Sequence, residues 1–312
     1  MRVTPSGNPG TPFVICNRSE RQANPDITFD GTNFITVWTD ESYSPTAICG
    51  ARVTPSGQVL DPNGKPLITG SATWGSPKLA FDGTNLMLAY REVNLTSGTV
   101  YGQRLTTSLQ KIGNPFAIST STLRKYDVRI AYSGSNYLVT WLEGNFLSAK
   151  ILGRIVNKDG SLPGSEFTIV SGLSQSATFD LCFDGTYYLL IFSNGTQVKG
   201  QRISTSGQLV GSAFSIGSGI DPAVCYSSGD MLITYSKRIS DYDIYGTVEY
   251  SNIGTRPATR LSHPVQTLYG DRFQFQPGDR VYDSAGRRVV HLSPGIYFLR
   301  RGDQLIKIIK VR

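Results

Sequence analysis

The sequence predicts an all-β protein, with a β-propeller of about five four-stranded blades over residues 1–250 and a small β-sandwich-like module over residues 251–312. Three observations predict this class. An aromatic-Asp-Gly motif recurs about every 50 residues, short β-branched and aromatic runs alternate with glycine-rich turns, and no stretch keeps an apolar period of 3.6 residues. Charged residues make up 17% of the chain, below the usual ~25%.

The repeat is centred on a turn that follows an aromatic residue. Its copies are Phe29-Asp30-Gly31, Phe81-Asp82-Gly83, Tyr132-Ser133-Gly134, Phe183-Asp184-Gly185 and, degenerate, Tyr226-Ser227-Ser228. They are spaced 52, 51, 51 and 43 residues apart, and an apolar run follows each copy. A period near 50 residues with four short strands per unit is typical of a propeller blade.

The first copy illustrates the four strands that we expect in each blade. Strand A ends at Phe29, strand B is the run 34–38, strand C is 47–53 and strand D lies near 66–68. The Asp-Gly turn between strands A and B suits a tight hairpin that needs positive φ.

The N-terminus begins inside a repeat, because residues 2–7 are identical to residues 52–57. We expect a strand D near residues 12–16, which leaves two arrangements open. It completes the last blade and closes a five-bladed ring, or the protein has more blades upstream. No apolar run approaches the ~20 residues of a membrane span, and no signal peptide is visible.

Charged residues recur three positions before the turn aromatic, on the strand that we expect to be innermost. They are Asp26, Lys78, Arg129 and Asp180. The alignment predicts a ring of mixed charge near one mouth of the propeller channel. Mutual neutralisation is the favoured interpretation, and ligand binding is the alternative.

Histidine chemistry is excluded from the propeller, because His263 and His291 both lie in the tail. We expect no metal and no cofactor. Acids follow strand B in three neighbouring blades, as Asp40, Glu92 and Glu143. Paired carboxylates perform glycoside hydrolysis, so these are candidate catalytic residues. Solvated acids at strand ends are the favoured interpretation.

Aromatic residues between strands form a second candidate site on the same face. They are Tyr43, Trp74, Tyr126, Phe146 and Tyr242. Such side chains bind sugars and peptides, and packing between loops is equally compatible.

The tail carries three motifs in order and accounts for the net charge of +7. A Tyr-Asp-x-x-Gly-Arg turn and a Pro-Gly-x-Tyr-Phe step precede a basic strand at the C-terminus. The residues concerned are Tyr282, Asp283, Gly286, Arg287, Pro294, Gly295, Tyr297, Phe298 and Lys310. Together they resemble the C-terminal sorting domain of proteins exported by the type IX secretion system. The resemblance implies contact with that machinery and an extracellular or outer-membrane surface location. We expect a linker over about residues 251–270, between the propeller and this module.

The repeats themselves resemble the Asp-Gly-x-Asn propeller repeats of bacterial secreted proteins, a family without one shared activity. We therefore expect a protein that is not an enzyme, exported or displayed on the surface, that binds a glycan, peptide or protein. The alternatives are an exported glycoside hydrolase acting on polysaccharide, and a fragment of a longer surface protein whose activity lies upstream. Nucleic acid is not an expected partner, because the excess basic charge belongs to the tail.

Overall fold

The structure, a computed structural model, describes residues 1, 10–145, 148–227, 230–238 and 242–250, and the strands of the C-terminal region. The chain divides into two compact units. One unit is Val14–Ser251, and the other joins Met1–Phe13 with Asn252–Arg312.

The first unit consists of antiparallel sheets in which successive strands pair. Its strands are β1 (Gln22–Phe29), β2 (Phe34–Asp40), β3 (Ala47–Val53), β4 (Lys65–Ile68), β5 (Trp74–Phe81), β6 (Leu86–Glu92), β7 (Val100–Leu105), β8 (Lys111–Ala117), β9 (Lys125–Tyr132), β10 (Asn136–Gly144), β11 (Ala149–Asn157), β12 (Phe167–Leu173), β13 (Thr178–Phe183), β14 (Tyr188–Ser193), β15 (Gln197–Ile203), β16 (Leu209–Ser218), β17 (Ile220–Ser227), β18 (Asp230–Arg238) and β19 (Tyr242–Tyr250). Strands β1–β4, β5–β8, β9–β12 and β13–β16 each form a four-stranded sheet, and β17–β19 form a three-stranded one. The predicted all-β, propeller-like fold is confirmed, and we call these sheets blades 1 to 5.

The aromatic-Asp-Gly motif makes the hairpin between the first two strands of a blade. In blade 1 the Asp30 carboxylate accepts hydrogen bonds from the backbone N–H groups of Thr32 and Asn33, at 2.8 and 2.6 Å. Gly31 between them has φ +91°, which glycine adopts without strain. Asp82 and Asp184 make the same two bonds in their blades, so the repeat is a turn signal.

The core lies between neighbouring blades, because strand side chains alternate between the two faces of each sheet. Ile35 and Val37 of blade 1 pack with Leu86 and Leu88 of blade 2, and all four are fully buried. Burial of one such side chain contributes about 1.5–3 kcal/mol. The first strands of successive blades contact one another, β1 with β5, β5 with β9, β9 with β13 and β13 with β17. They form the inner wall of the unit, as predicted.

The prediction of a strand near residues 12–16 was wrong. The structure has no strand between residues 10 and 21. Ile15 and Cys16 instead lie against the buried side chain of Trp38 in blade 1. The Ile15 carbonyl accepts a hydrogen bond from the Asn63 N–H at 3.1 Å, and the Arg18 side chain bonds the Asn63 carbonyl. Individual hydrogen bonds to a loop of blade 1 hold this segment in place, and it is not paired with a strand of a sheet.

In the second unit the described strands form one five-stranded sheet. They are β20 (Thr267–Tyr269), β21 (Arg280–Asp283), β22 (Arg288–Val289), β23 (Gly295–Arg301) and β24 (Gln304–Lys310), in the order β20-β24-β23-β21-β22. Strand β20 pairs parallel to β24 and lies at the end of the segment predicted as a linker, about residues 251–270. In the backbone register Tyr282 pairs with Phe298 and Asp283 with Tyr297. Gly286, Arg287 and Pro294 lie outside the described residues.

No helix among the described residues has the length and hydropathy needed to cross a bilayer.

Candidate active site on the inner strands

Three inner strands begin with the same unusual backbone step. Asn24, Ser76 and Asp221 have φ of 52°, 52° and 50°, and a proline follows each of them. The strand register shifts at each of these places. Bulges re-aim neighbouring side chains, and strained backbone of this kind concentrates at functional sites. In blades 1 and 2 the next side chain after the proline is a charged residue of the predicted ring.

The first half of that ring joins blade 1 to blade 2. Lys78 Nζ lies 3.4 Å from Asp26 Oδ1, and the Leu79 N–H donates to Asp26 Oδ2 at 2.7 Å. The side chains of Asp26 and Lys78 are both partly open to water. The Asp26 carboxylate thus bridges two inner strands and keeps access to solvent.

The second half joins blades 3, 4 and 5. Arg129 donates to Asp180 at 3.1 Å and to Asp127 at 2.7 Å. The other Asp180 oxygen accepts the Val224 N–H at 2.9 Å, which repeats in blade 4 the bond that Asp26 makes in blade 1. We call Asp26, Lys78, Asp127, Arg129 and Asp180 the inner-strand cluster.

The electrostatics of the cluster single out Asp26. Partial burial raises the pKa of its carboxyl above the ordinary 3.8, although Lys78, the Leu79 hydrogen bond and the Arg129 charge act in the opposite direction. Asp26 therefore takes up a proton more readily than a free aspartate does. A carboxyl with a raised pKa is the kind of group that can give a proton in acid-base chemistry.

A further cation lies behind the cluster. Arg91 donates to the Ser76 hydroxyl at 3.1 Å and to the Lys125 carbonyl at 3.0 Å. Burial lowers the pKa of its guanidinium, and the nearby Asp127 charge partly offsets this. Arg91 fixes the bulge at Ser76 and contributes positive charge to the inner wall.

The acids at the strand ends lie outside the inner-strand cluster. Asp40 and Glu143 make their hydrogen bonds and ion pairs with other residues. Asp40 is fully buried, and it accepts hydrogen bonds from Trp38 Nε1 at 3.3 Å, from the Ser42 N–H at 3.0 Å and from the Ser42 hydroxyl. Burial alone would raise the pKa of Asp40, but these bonds outweigh it and hold the pKa below 3.8. The interpretation of this acid as solvated is wrong, because the indole two residues earlier covers it.

Glu143 repeats the arrangement in blade 3. Its carboxylate lies 2.9 Å from Lys125 Nζ and 3.4 Å from Lys150 Nζ, and it accepts Trp141 Nε1 at 3.3 Å. The side chains of Glu143 and Lys125 are both completely buried. Glu92 is half-buried at the end of β6. None of these three acids is hydrogen-bonded to the inner-strand cluster in the contacts that the described residues make.

The predicted aromatic platforms are half-buried wherever their rings are described, and each makes contacts within the protein. The Tyr43 ring lies under Arg18, at 5.0 Å from the guanidinium carbon. Trp74 makes edge contacts with Tyr90 and Tyr101 at 5.5 and 5.7 Å between ring centroids. The Tyr126 ring stacks under Arg124 and packs on the core between blades 3 and 4. Phe146 and the Tyr242 side chain lie outside the described residues.

Sequence reasoning located four of the five residues in the inner-strand cluster and missed Asp127. That residue stands five positions before its turn aromatic, where the other blades have Asn24, Ser76, Thr178 and Asp221. One sequence signal could have drawn attention to this position: in three of the other blades it holds a polar residue that is followed by proline. In the described part of the chain, no group of three or more His, Cys, Asp or Glu residues is arranged to hold a metal ion.

No family model matches the chain, and no curated protein matches it. Solved structures do match. A GH43 endo-arabinanase from Bacillus licheniformis has 12% identity and a TM-score of 0.47, over 76% of this chain and 97% of its own. A GH32 β-fructofuranosidase from Bombyx mori has 11% identity and a TM-score of 0.47, over 93% and 86%. A putative TolB from Agrobacterium tumefaciens has 17% identity and a TM-score of 0.47, over 77% and 83%.

These comparisons contradict the prediction that the chain is not an enzyme, since the structures that match include glycoside hydrolases. The prediction was wrong because it relied on a repeat pattern, and a repeat pattern reports the scaffold and not the site. At these identities and TM-scores the likenesses transfer no substrate and no catalytic residue to this chain.

Proposed function

We propose that the first unit is a glycoside hydrolase that acts on an extracellular polysaccharide, with its reaction centre at the inner-strand cluster. The observation that carries the proposal is the Asp26 carboxyl, which is partly open to water, has a raised pKa and lies on the same inner wall as Asp127 and Asp180, where the Arg129 charge also acts on it. Glycoside hydrolysis requires one carboxyl that gives a proton and a second that receives one.

The roles follow from the contacts. Asp26 gives its proton to the glycosidic oxygen as the bond to the anomeric carbon breaks, because a raised pKa keeps the proton available. A water molecule attacks the anomeric carbon, and Asp180 or Asp127 accepts the proton that this water releases. Lys78 and Arg129 hold the carboxylates in place and offset their charge.

An assay of new reducing ends over a panel of polysaccharides tests the proposal. Asp26→Asn keeps the size and the hydrogen-bond acceptor but removes the proton donor, so we expect activity to fall about 10²–10⁴-fold. Glu92→Gln is the matched control, and we expect it to keep full activity. Equal activity in the Asp26→Asn and unmodified proteins, or no product from any polysaccharide, would overturn the assignment.

We also propose that residues 251–312 address the protein to the type IX secretion machinery. The support is the ordered set of tail motifs, and export is also what an enzyme needs to meet a polymer that cannot enter the cell. We expect a chain ending at residue 250 to remain inside a producing cell that has this machinery. Fractionation with an antibody against the first unit measures this, and normal export of the truncated chain contradicts the sorting role.

A further inference from the structure

Two arginines, one in blade 2 and one beside blade 3, have hydrogen-bond donors that the described part of the protein does not use. Arg91 lies near the end of β6, and Arg124 lies directly before β9. A guanidinium carries five N–H donors and no acceptor. Arg91 makes two hydrogen bonds to described residues, one to the Ser76 hydroxyl and one to the Lys125 carbonyl. Its other donors have no partner in that part of the chain.

Arg124 has fewer partners still. Its Nε is buried and has no hydrogen-bond partner among the described residues, and its guanidinium lies over the Tyr126 ring at 4.9 Å from the centroid. Neither arginine forms an ion pair with a described acid, including Glu92, which follows Arg91 in the sequence. A buried donor of a charged group is costly when it lacks an acceptor, and it marks a place where a ligand can supply one.

The two arginines also act on each other. Burial lowers the pKa of Arg91, the Asp127 charge opposes this, and the Arg124 charge lowers the pKa further. Like charges held near one another in a partly buried place disfavour their own charged forms. An anion beside both guanidinium groups would remove this repulsion.

The equivalent arginine of blade 1 shows what a protein partner looks like at this position. The Arg21 carbonyl accepts the Glu41 N–H at 3.0 Å, and the Arg124 carbonyl accepts the Gly144 N–H at 3.2 Å, so the two arginines occupy the same place in their blades. The Arg21 side chain then pairs with the Glu41 carboxylate at 3.2 Å. Glycine at position 144 has no side chain to offer, and the Arg124 guanidinium is left for another acceptor.

Arg91 connects this pair of arginines to the inner-strand cluster. Its Nε donates to the hydroxyl of Ser76, which stands two residues before Lys78, and the Asp127 charge acts on its guanidinium. The two arginines add two positive charges to a cluster of two cations and three aspartates. The inner wall is therefore positive as a whole, and it is more so when Asp26 is protonated.

We propose that Arg91 and Arg124 form a subsite for an acidic group of the sugar chain, so that the substrate is an anionic polysaccharide. The acidic group is a uronic acid carboxylate or a sulfate ester, since both are oxyanions that accept paired hydrogen bonds from a guanidinium. The inference rests on the proposed function for the identity of the ligand as a sugar polymer, and it adds the charge of that polymer.

Binding of the full chain to three polymers tests the subsite. Polygalacturonate carries carboxylates, dextran sulfate carries sulfate esters and dextran is neutral. Affinity electrophoresis should show binding to at least one of the anionic polymers and none to dextran, and the polymer that binds identifies the acidic group. We expect Arg124→Gln to weaken this binding about 10-fold or more, because it removes charge-assisted hydrogen bonds to the ligand.

Arg21→Gln is the matched control, because it removes the same charge from the equivalent position of blade 1, where an acid already pairs with it. We expect its affinity to stay within about twofold of the unmodified protein, as for an exposed ion pair. Equal weakening by the two variants would mean that the polymer is attracted by the overall basic charge and would overturn the subsite. Equal binding of dextran, or no binding of either anionic polymer, would do the same.

A folding control uses the same variants. The Arg124 guanidinium has no hydrogen bond to a described residue, so Arg124→Gln should leave the midpoint of thermal unfolding unchanged. A lowered midpoint would show that the protein itself uses this guanidinium, which contradicts the subsite.

Binding is measured without catalysis, so the subsite and the hydrolase can fail separately. Binding that depends on Arg124 without any new reducing ends would support the subsite and contradict the hydrolase. Hydrolysis of neutral polymers alone, with equal rates in Arg124→Gln and the unmodified protein, would support the hydrolase and contradict the subsite.

Discussion

The strand-end acids and the inner-strand acids are the same chemical groups in two different situations. Asp40 is sealed from water, and its hydrogen bonds come from Trp38 and Ser42 of its own blade. Asp26 is partly open to water, and its partners come from the next blade. As a result the pKa of Asp40 lies below 3.8 and the pKa of Asp26 lies above it.

The difference shows that the hydrogen-bond donors around a carboxylate determine its role. The position of the residue at the end of a strand does not determine it. A buried acid with several fixed donors is stabilised as the anion and strengthens the blade. A partly buried acid with one cation at 3.4 Å exchanges its proton more easily, and water can reach it. The first kind is suited to structure and the second to acid-base chemistry.

The largest effect on stability is expected at the acid with the most complete burial. Glu143→Gln leaves the buried Lys125 ammonium without its carboxylate, and breaking such a pair costs about 3–5 kcal/mol. Chemical denaturation at neutral pH measures the free energy of unfolding.

The matched control for this change is Glu92→Gln, which alters a half-buried acid in the neighbouring blade and should stay within about 0.5 kcal/mol of the unmodified protein. A cost below about 1 kcal/mol for Glu143→Gln would show that Lys125 finds sufficient partners in the Ser121 and Leu123 carbonyls, and the contrast between the two kinds of acid would weaken.

A smaller effect with a defined pH dependence is expected at Asp40. Its folded-state pKa is lowered, so its contribution is fully present above 3.8 and is lost as the pH falls through the folded-state value. Asp40→Asn should cost about 1.5–3 kcal/mol at neutral pH, the range for hydrogen bonds to a charged group. Unfolding curves at several pH values should converge in acid. A constant difference between the two proteins at all pH values would show that the carboxylate charge is not what matters.

The sequence predicted the strands of the first blade well, because the turn motif fixes the register of its hairpin. The third strand of blade 1 occupies residues 47–53, as predicted. The failures lie where contacts outside the repeat decide. Residues 12–16 have strand composition, yet the structure forms no strand there and the Ile15 carbonyl accepts a hydrogen bond from the Asn63 N–H.

The candidate site was predictable in position and not in chemistry. Aligning the repeats located Asp26, Lys78, Arg129 and Asp180 on one wall, because equivalent positions of successive blades are neighbours. The burial of Asp40 could not be read in the same way, because it depends on the rotamer of an indole two residues earlier. Loop aromatics such as Trp74 were open to two interpretations for a similar reason, since composition does not say which surface a ring covers.

The smallest expected effect, and the one that separates the two kinds of acid most directly, is at Asp26. A raised folded-state pKa means that the contribution of this group to stability is present below 3.8 and is lost as the pH rises through the folded-state value. Asparagine does not titrate and still accepts the Leu79 N–H, so Asp26→Asn should change the free energy of unfolding by no more than about 0.5 kcal/mol at neutral pH. Relative to the unmodified protein the variant should gain stability as the pH rises from 4 to 7, opposite to the prediction for Asp40→Asn. Denaturation midpoints of Asp26→Asn between pH 4 and 7, and of Asp40→Asn below pH 4, give the two signs. If Asp26→Asn loses stability with rising pH, the carboxylate is stabilised by Lys78 more than it is destabilised by burial, and Asp26 is then a structural acid of the same kind as Asp40.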